Sequence, residues 1–539
     1  MKNLLKYSLV LTMAVGSLTS CIKEEFPTDV VTTEMIAQSS TALQAAVAGN
    51  TAWLTESMSI LGTHGDMGFP GICMGLDALT SDVAVGPDYG YDADYLRWRA
   101  VTTLHADGSA PFYVWKFFYN LIQSANGVLA GIDLENPSDT QKVYAGQCLT
   151  FRAMSYLYLS QVFEYGGGNY DVNEYGTAFK GLTVPKITET TTEAEAQNNP
   201  RVPHNEMYAF IESDLLKAIE FLKGYSRSSK NEINEAVAQG LLARMYLYTG
   251  KWVEAEKAAR KAIDLSGATI MTESQWMSPT TGFNSLDNSS WLWGIKITSD
   301  DRVVTTGICN FVSLMSPEAS YGYVAAGGFG STKQIDKNLY ESIPDTDWRK
   351  KSWLDPDREK FEYQFVHPAS YYESVPNYTT IKFRPGQGNG NDYMTGSAAD
   401  FPIMRVEEMY LIEAEAVAMQ DMARGQQLLN AFAVNRKPEF VSVATSKEEL
   451  VDEILFQKRI ELWGEGLTMF DLKRLNKPQM RGYEGTNHFE GSRYNSPDGT
   501  AIWTTLQIPT SELQSNSGIT KETQNPNPNS SRGIEWVAE

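Results

Sequence analysis

The run from Ala236 to Leu265 carries apolar residues at helical spacing on both sides of a break, Thr249-Gly250-Lys251. It predicts two short helices packed antiparallel across a tight turn. Small and large residues recur at fixed places: Leu242, Ala243 and Tyr246 before the turn, Ala255 and Ala262 after it. This is the layout of a tetratricopeptide repeat, where small residues let helices approach closely and an aromatic fills the gap. The proline that usually closes such a repeat is replaced by Ser266-Gly267.

The same periodicity marks further helices before and after this hairpin. One carries Leu43, Val47 and Leu54; one opens at Trp115 and reaches about Ile132. A longer one spans Gln141 to Tyr165 with Ala145, Leu149, Ala153, Tyr156 and Leu157 on one face, and Gly166-Gly167-Gly168 stops it. Asn205 to Leu222 leads into the central hairpin. Helical pattern returns at Phe401–Ala416, with a partner from Ala423 to Asn435, and this pair fits a second repeat. Ser446 and Glu449 predict a capping box for the next helix, which Gly464 and Gly466 break before Met469–Leu475.

Between these blocks the pattern fails. Leu61 to Asp94 is rich in Gly and Asp and is expected to form surface loops, as is the Thr-, Glu- and Asn-rich stretch 170–203. Residues 267–400 hold Trp, Tyr, Gly and Ser with short apolar alternations such as Leu292 to Ile297, which predicts loops, short helices and small strand pairs. So long an excursion from a compact scaffold points to function. The expected fold is mainly α: a tetratricopeptide-like scaffold within about 110–265 and 401–476, with loop-rich regions at about 61–107 and 267–400. The tail, rich in Pro, Asn and Ser, is expected to lie extended on the helices.

The first residues stand apart. Lys2 and Lys6 flank the apolar stretch Leu4 to Leu18, too short to span a bilayer and patterned as a secretion signal. It ends in Leu18-Thr19-Ser20-Cys21, which resembles a bacterial lipobox, so Cys21 is the expected site of lipid attachment. Residues 1–20 are then a signal peptide, 21–31 the lipidated cysteine and its tether, and 32–539 a single domain held to the membrane by lipid alone. Lys23-Glu24-Glu25 resemble the signal that sends lipoproteins of Bacteroidetes to the cell surface. Net charge is −21, a field that repels phosphate backbones and argues against nucleic-acid binding. Cys73, Cys148 and Cys309 lie far apart with no CxxC pairing, so neither a zinc site nor a disulfide framework is indicated, and buried free thiols are expected.

Chemistry of catalysis leaves no mark. His64, His105, His204, His367 and His488 are scattered without metal-ligand spacing, and no serine stands in a nucleophile elbow. The glycine-rich Gly386–Asn391 lacks the flanking strand and helix of a phosphate loop and reads as a turn. Asp88, Asp92 and Asp94 lack the spacing of a calcium loop. The 66 acidic residues offer many carboxylate pairs for glycoside hydrolysis, but nothing singles out two of them. No metal, cofactor or enzymatic activity is therefore expected.

Four segments together resemble the SusD/RagB family of nutrient-uptake lipoproteins. They are Phe151-Arg152-Ala153 through Tyr165-Gly166-Gly167; FPIMRVEEMYLIEAEA at 401–416; Glu461–Gly466 running into Phe470-Asp471-Leu472-Lys473-Arg474; and the tail Ile508-Pro509 to Glu512, then Gln524-Asn525-Pro526. Their order and spacing fit across essentially all of the chain after Cys21. The family's usual ending Asn-Pro-Gly-Tyr is replaced here by Asn527-Pro528 after Asn525-Pro526, a departure that bears on local packing. The resemblance implies a SusD-like fold at the outer surface of the outer membrane. It also implies a glycan ligand and a partner, a SusC-like TonB-dependent outer-membrane transporter, over which the lipoprotein sits as a lid.

Binding residues follow from ligand chemistry. Pyranose rings stack apolar faces on Trp and Tyr, while their hydroxyls need amides, carboxylates and guanidinium groups. Trp98, flanked by Arg97 and Arg99, matches where the family carries glycan-contacting loop residues, and Tyr89 and Tyr91 share that loop. In the middle stretch the candidates are Trp276, Trp291, Tyr321, Tyr323, Tyr371 and Tyr372. Trp115 and Trp252 sit in helical pattern and are assigned to packing. The expected function is capture of oligosaccharide or polysaccharide for the transporter, with oligopeptide capture as the alternative and glycoside hydrolysis ranked last.

Overall fold

The computed structural model describes residues 40–86 and 103–528, together with the backbone of the strand Glu535–Trp536. The signal peptide, Cys21 and the tether, and the loop carrying Asp88, Tyr89, Tyr91, Asp92, Asp94, Arg97, Trp98 and Arg99, lie outside the described residues.

Helices α1 (Ser40–Trp53), α2 (Phe69–Ala78), α3 (Ser109–Leu129) and α4 (Asp139–Phe163) form the first part of the scaffold. Strand β1 (Val83–Val85) follows α2. α4 begins on a complete capping box: Ser138 Oγ accepts from Gln141 N at 3.3 Å, and Gln141 Oε1 accepts from Ser138 N at 2.9 Å, an arrangement that satisfies two orphan donors of the first turn. The periodicity predicted one apolar face for α4, yet every residue from Ala145 to Phe163 is buried. Neighbouring helices and the C-terminal tail surround it, so it is the central rod of this half. Its buried Arg152 joins three helices. Nε and Nη2 donate to Asp214 at 2.7 and 2.8 Å, and Nη1 donates to Asn126 of α3 at 2.8 Å.

The hairpin β2 (Leu182–Pro185) and β3 (Arg201–Pro203) lies in the stretch expected to be loop. Helix α5 (His204–Leu222), which holds Asp214, packs on α4. The predicted central repeat is α6 (Glu235–Tyr248) and α7 (Trp252–Ser266), turning through Gly250 at φ +71°. Ala255, Ala258, Ala259 and Ala262 form the buried face of α7. Gly267 ends it in the left-handed conformation, φ +63°, doing at the C-terminus what a closing proline would do one step later.

Strands β4 (Trp291–Ile295), β5 (Lys333–Ile335) and β6 (Phe401–Arg405) come next. β6 corrects the expectation of helix from Phe401. Pro402 has no N–H for a ladder and Ile403 favours extended backbone, so this segment pairs antiparallel with β4, Ile295 opposite Phe401 and Trp291 opposite Arg405. Helix then starts at Val406. Helices α8 (Val406–Gln420) and α9 (Met422–Ala433) are the second repeat, α10 (Lys447–Glu461) packs on α8, and α11 (Thr468–Arg474) follows. Gly425 of α9 sits so close to α8 that a Cβ there would lie 2.5 Å from Ala418 Cα. Ser446 Oγ caps α10 through Glu449 N at 3.2 Å, but the Glu449 carboxylate accepts from Thr445 N and Oγ1 at 2.6 and 2.7 Å, one residue outside the predicted box.

α7 packs directly on α8. The helix stack is therefore continuous, and residues 267–400 are an excursion from it, entered near β4 and left through β6. Within the excursion, β5 pairs antiparallel with β1. The Gly-rich stretch expected to be all surface loop contains α2, whose ten residues are all buried. Gly68 at φ +73° makes this possible: a side chain there would strike the Leu54 carbonyl, its Cβ 2.3 Å from the oxygen. Three thiols, Cys73, Cys148 and Cys309, are free and buried. Among the described residues no helix is long and apolar enough to cross a membrane.

Candidate functional site

The excursion and the α9–α10 region meet in a buried ion network. Arg405 Nε donates to Glu465 at 2.9 Å and Arg405 Nη1 pairs with Glu407 at 3.0 Å. Arg349 and Arg436 both reach Glu461 at 2.9 Å, and Lys382 Nζ lies 2.7 Å from Glu465. Trp276, 1% exposed, is a wall of this network. Its ring lies 5.0 Å from the Lys382 ammonium, 5.4 Å from Arg405 and 5.5 Å from Arg436, and its Nε1 donates to Ser352 Oγ at 2.8 Å. Trp291 has no exposed surface and sits in β4. Both were predicted to meet ligand; both are core. Indole faces there cover desolvated cations and a doubly buried strand, which leaves none for a sugar.

The tyrosines fare differently. Tyr321, Tyr323, Tyr371 and Tyr372 converge on one segment, Pro317–Tyr323. Pro317 O accepts from Tyr371 Oη at 2.8 Å. Glu318, wholly buried, accepts from Arg384 Nη1 at 2.6 Å, from Val366 N at 3.2 Å and from the Tyr372 hydroxyl, and its carbonyl accepts from His367 Nε2 at 2.7 Å. Ser320 Oγ donates to Gly390 O at 2.7 Å. A Cβ on Gly396 would come within 2.5 Å of Tyr321 Oη, so the 390–396 turn presses against that ring. Tyr323 N donates to Ser313 Oγ at 3.0 Å, its hydroxyl bonds His64 Nδ1, and the two rings stack 5.4 Å apart at 29°.

Exposure separates these four. Tyr372 is 1% exposed and stacks on Phe365 at 3.8 Å, so it supports the ridge from beneath. Tyr321, Tyr323 and Tyr371 are half-buried. Burial, and the Glu318 charge beside it, push the Tyr371 hydroxyl up to about 12; burial also raises Tyr321. These phenols therefore stay protonated at neutral pH; Tyr371 gives its proton to Pro317 O and keeps lone pairs to accept, while the Tyr321 hydroxyl oxygen is buried.

Three further residues join them. His64 reaches Tyr323 from the loop before α2; His367 stacks on Tyr371 at 4.2 Å and 28°; Tyr393 is 41% exposed on the neighbouring turn. Along the chain the histidines are isolated and lack metal-ligand spacing, so their role beside the tyrosines shows in the fold. The spacing His367 to Tyr371, within one tight turn, was the available signal. No group of metal-ligating side chains occurs among the described residues. The ridge offers flat rings, hydroxyls and imidazoles, with the nearby carboxylate of Glu318 committed to Arg384 and Tyr372.

A stack of helix pairs bearing an aromatic ridge on an inserted excursion is the plan of a binding protein built on a helical-repeat scaffold. A family model described as "Starch-binding associating with outer membrane" matches residues 22–247, and one described as "SusD family" matches residues 323–527. The chain belongs to the SusD family. A SusD-like carbohydrate binding protein from Bacteroides vulgatus is similar in structure, at 24% identity and TM-score 0.70 over 90% of this chain and 98% of that one. A SusD superfamily protein from Bacteroides thetaiotaomicron (21%, 0.65, 90% and 100%) and a laminarin binding SusD-like protein (21%, 0.63, 90% and 99%) share the fold. No curated protein matches the sequence at a significant level.

Proposed function

We propose that the chain is a cell-surface lipoprotein, anchored through Cys21, that captures oligosaccharide or polysaccharide and hands it to a SusC-like TonB-dependent outer-membrane transporter. The observation that carries the reading is the convergence of Tyr321, Tyr323 and Tyr371 with His64 and His367 on one segment of the excursion. Half-buried rings held by hydrogen bonds lose little entropy when a pyranose stacks on them, and their hydroxyls and imidazoles match sugar hydroxyls. Tyr89, Tyr91, Arg97, Trp98 and Arg99 are proposed as further glycan contacts on the chemistry of their side chains alone. In this reading the protein binds and delivers glycan and performs no chemistry of its own. Family membership supports both the ligand class and the transporter partner, whose docking a stacked helical surface suits.

Calorimetric titration of the chain from Ile22 to Glu539 with a panel of polysaccharides tests it. Saturable binding of one glycan class, with no reducing ends released over time, is the expected result. Silence toward every glycan together with capture of oligopeptides would replace the sugar by a peptide; steady release of reducing ends would make it a hydrolase.

A further inference from the structure

A pocket of about 470 Å³ lies between α1, α4, the turn after α5 and the turn after β4, and shares no residue with the Pro317–Tyr323 ridge. Its floor is apolar, made by Val47, Phe151 and Ile233, all buried. Tyr144 and Tyr225, both half-buried, stand on its wall. A volume in this range, apolar beneath and set with a few polar groups, is that of a small-molecule site.

The polar groups divide into two sets. Every charged side chain on the wall is already engaged. Glu232 accepts from Tyr225 Oη at 2.6 Å and from Ser228; Asp301 accepts from Thr298 N at 2.6 Å and Oγ1 at 3.0 Å; Lys296 donates to Asp400 at 3.2 Å. Of the uncharged ones, Tyr225, Thr298, Gln147 and Thr55 are engaged as well, the last two on Ile233 O and Ala52 O, and others are free. Among the described residues, the side-chain amides of Gln44 and Asn231 and the hydroxyl of Tyr144 make no hydrogen bond to the protein. What the pocket offers a ligand is thus an apolar floor, tyrosine rings, two free amides and one free phenol. An anionic ligand would find no free cation, because Lys296 is paired with Asp400, whereas a molecule with an apolar face and neutral hydroxyls would find amides, a phenol and carboxylate oxygens to bond.

We propose that this pocket is a second saccharide-binding site, taking an uncharged pyranose unit, so that one long glycan can be held at two places on the same chain. The proposal rests on the reading of the protein as a glycan binder and adds a second location to it.

Titration of the chain from Ile22 to Glu539 with neutral gluco-, xylo- and manno-oligosaccharides of graded length, and with the parent polysaccharides, tests it. The wild type is expected to bind a short oligosaccharide at two sites, and Gln44→Ala/Tyr144→Ala at one. The same variant should bind polysaccharide about tenfold more weakly or worse, because linked sites add their affinities through effective concentration. Gln44→Ala alone, at an exposed position, should reproduce the loss if the double variant is unstable. A single wild-type site that Tyr323→Ala removes and Gln44→Ala/Tyr144→Ala leaves intact would overturn this pocket and spare the ridge. A wild type that binds none of these sugars would overturn both.

Discussion

Arg436 and Glu461 face each other in a two-toothed pair, Nε to Oε2 and Nη2 to Oε1, both 2.9 Å, and neither side chain has any exposed surface. Arg349 and Arg405 converge on the same carboxylate at 2.9 and 3.2 Å. Three guanidinium groups hold Glu461 well below the usual carboxylate range despite full burial. The pair links the end of α10 to the chain after α9, and through Arg349 to the excursion. The family segments at 401–416 and 461–466 are therefore two halves of one buried network.

Removing the charge from Glu461 should be severe. Glu461→Gln leaves three arginines without their shared anion in a site water does not reach, and breaking a buried pair in this way costs about 3–5 kcal/mol. Urea unfolding of the variant should show that loss; a loss under about 1 kcal/mol would mean that Glu407 and Glu465 carry the arginines without it.

Asp77 gives the protein a pH dependence of unusual sign for a carboxylate. It is buried in α2 beside Asp82 and Glu465, accepts from Gly466 N at 2.9 Å, and burial raises its pKa to about 8. The folded chain holds this proton where the unfolded chain, with a pKa of about 3.9, has released it. The stabilisation is complete below about pH 4 and is lost as pH climbs toward 8, by at most about 1.4 kcal/mol per pH unit. Asp77→Asn should flatten stability against pH across that window. An unchanged slope in thermal melts would place the proton elsewhere.

Trp276 and Tyr323 should separate stability from binding. Trp276→Ala opens the core beside the ion network and is expected to cost about 3–5 kcal/mol, with affinity per folded molecule retained. Tyr323→Ala removes a half-buried ring and should weaken glycan binding about tenfold, a loss of about 1.4 kcal/mol, with little change in melting temperature. Equal effects of the two on affinity would contradict the assignment of Trp276 to the core.

Asn525 anchors the tail although the residues after Pro526 depart from the family ending. Its Nδ2 donates to Phe163 O and Leu506 O at 2.6 and 2.7 Å, and its Oδ1 accepts from Arg201 Nη1 at 2.9 Å. Asn525→Ala orphans the Leu506 carbonyl and a buried guanidinium hydrogen, while Phe163 O keeps its bond from Arg201 Nη2 at 2.9 Å, so a loss of about 2–4 kcal/mol is expected, each unmet buried group costing about 1–3. Limited proteolysis should cut the variant first after Leu506; wild-type resistance would show the tail to be held by its other contacts.

Helix periodicity is a local property, and it located α4 to α7 and α9 within a few residues, and α3 and α8 with their starts misplaced. It erred where pairing with a distant strand decided the outcome. Phe401–Arg405 looks helical next to Val406–Gln420, yet β4, more than a hundred residues earlier, draws it into a strand. It erred again at α2, because glycine at 62, 68 and 71 signals turns while the burial of the helix depends on Gly466, where an added Cβ would fall 2.6 Å from Cys73 Cα.

The same division runs through the site. The helical-repeat scaffold, the unusual length of the excursion and the concentration of aromatics within it are legible in the chain alone, because spacing and composition are carried by neighbouring residues. Which aromatics face outward is settled by the fold. Trp276 and Tyr323 look alike in their stretches of chain. Trp276 is buried under cations from Lys382, Arg405 and Arg436, whereas Tyr323 is half-buried and stacks its ring on His64. Burial of a loop ring is set by partners far away in sequence, and no local pattern records them.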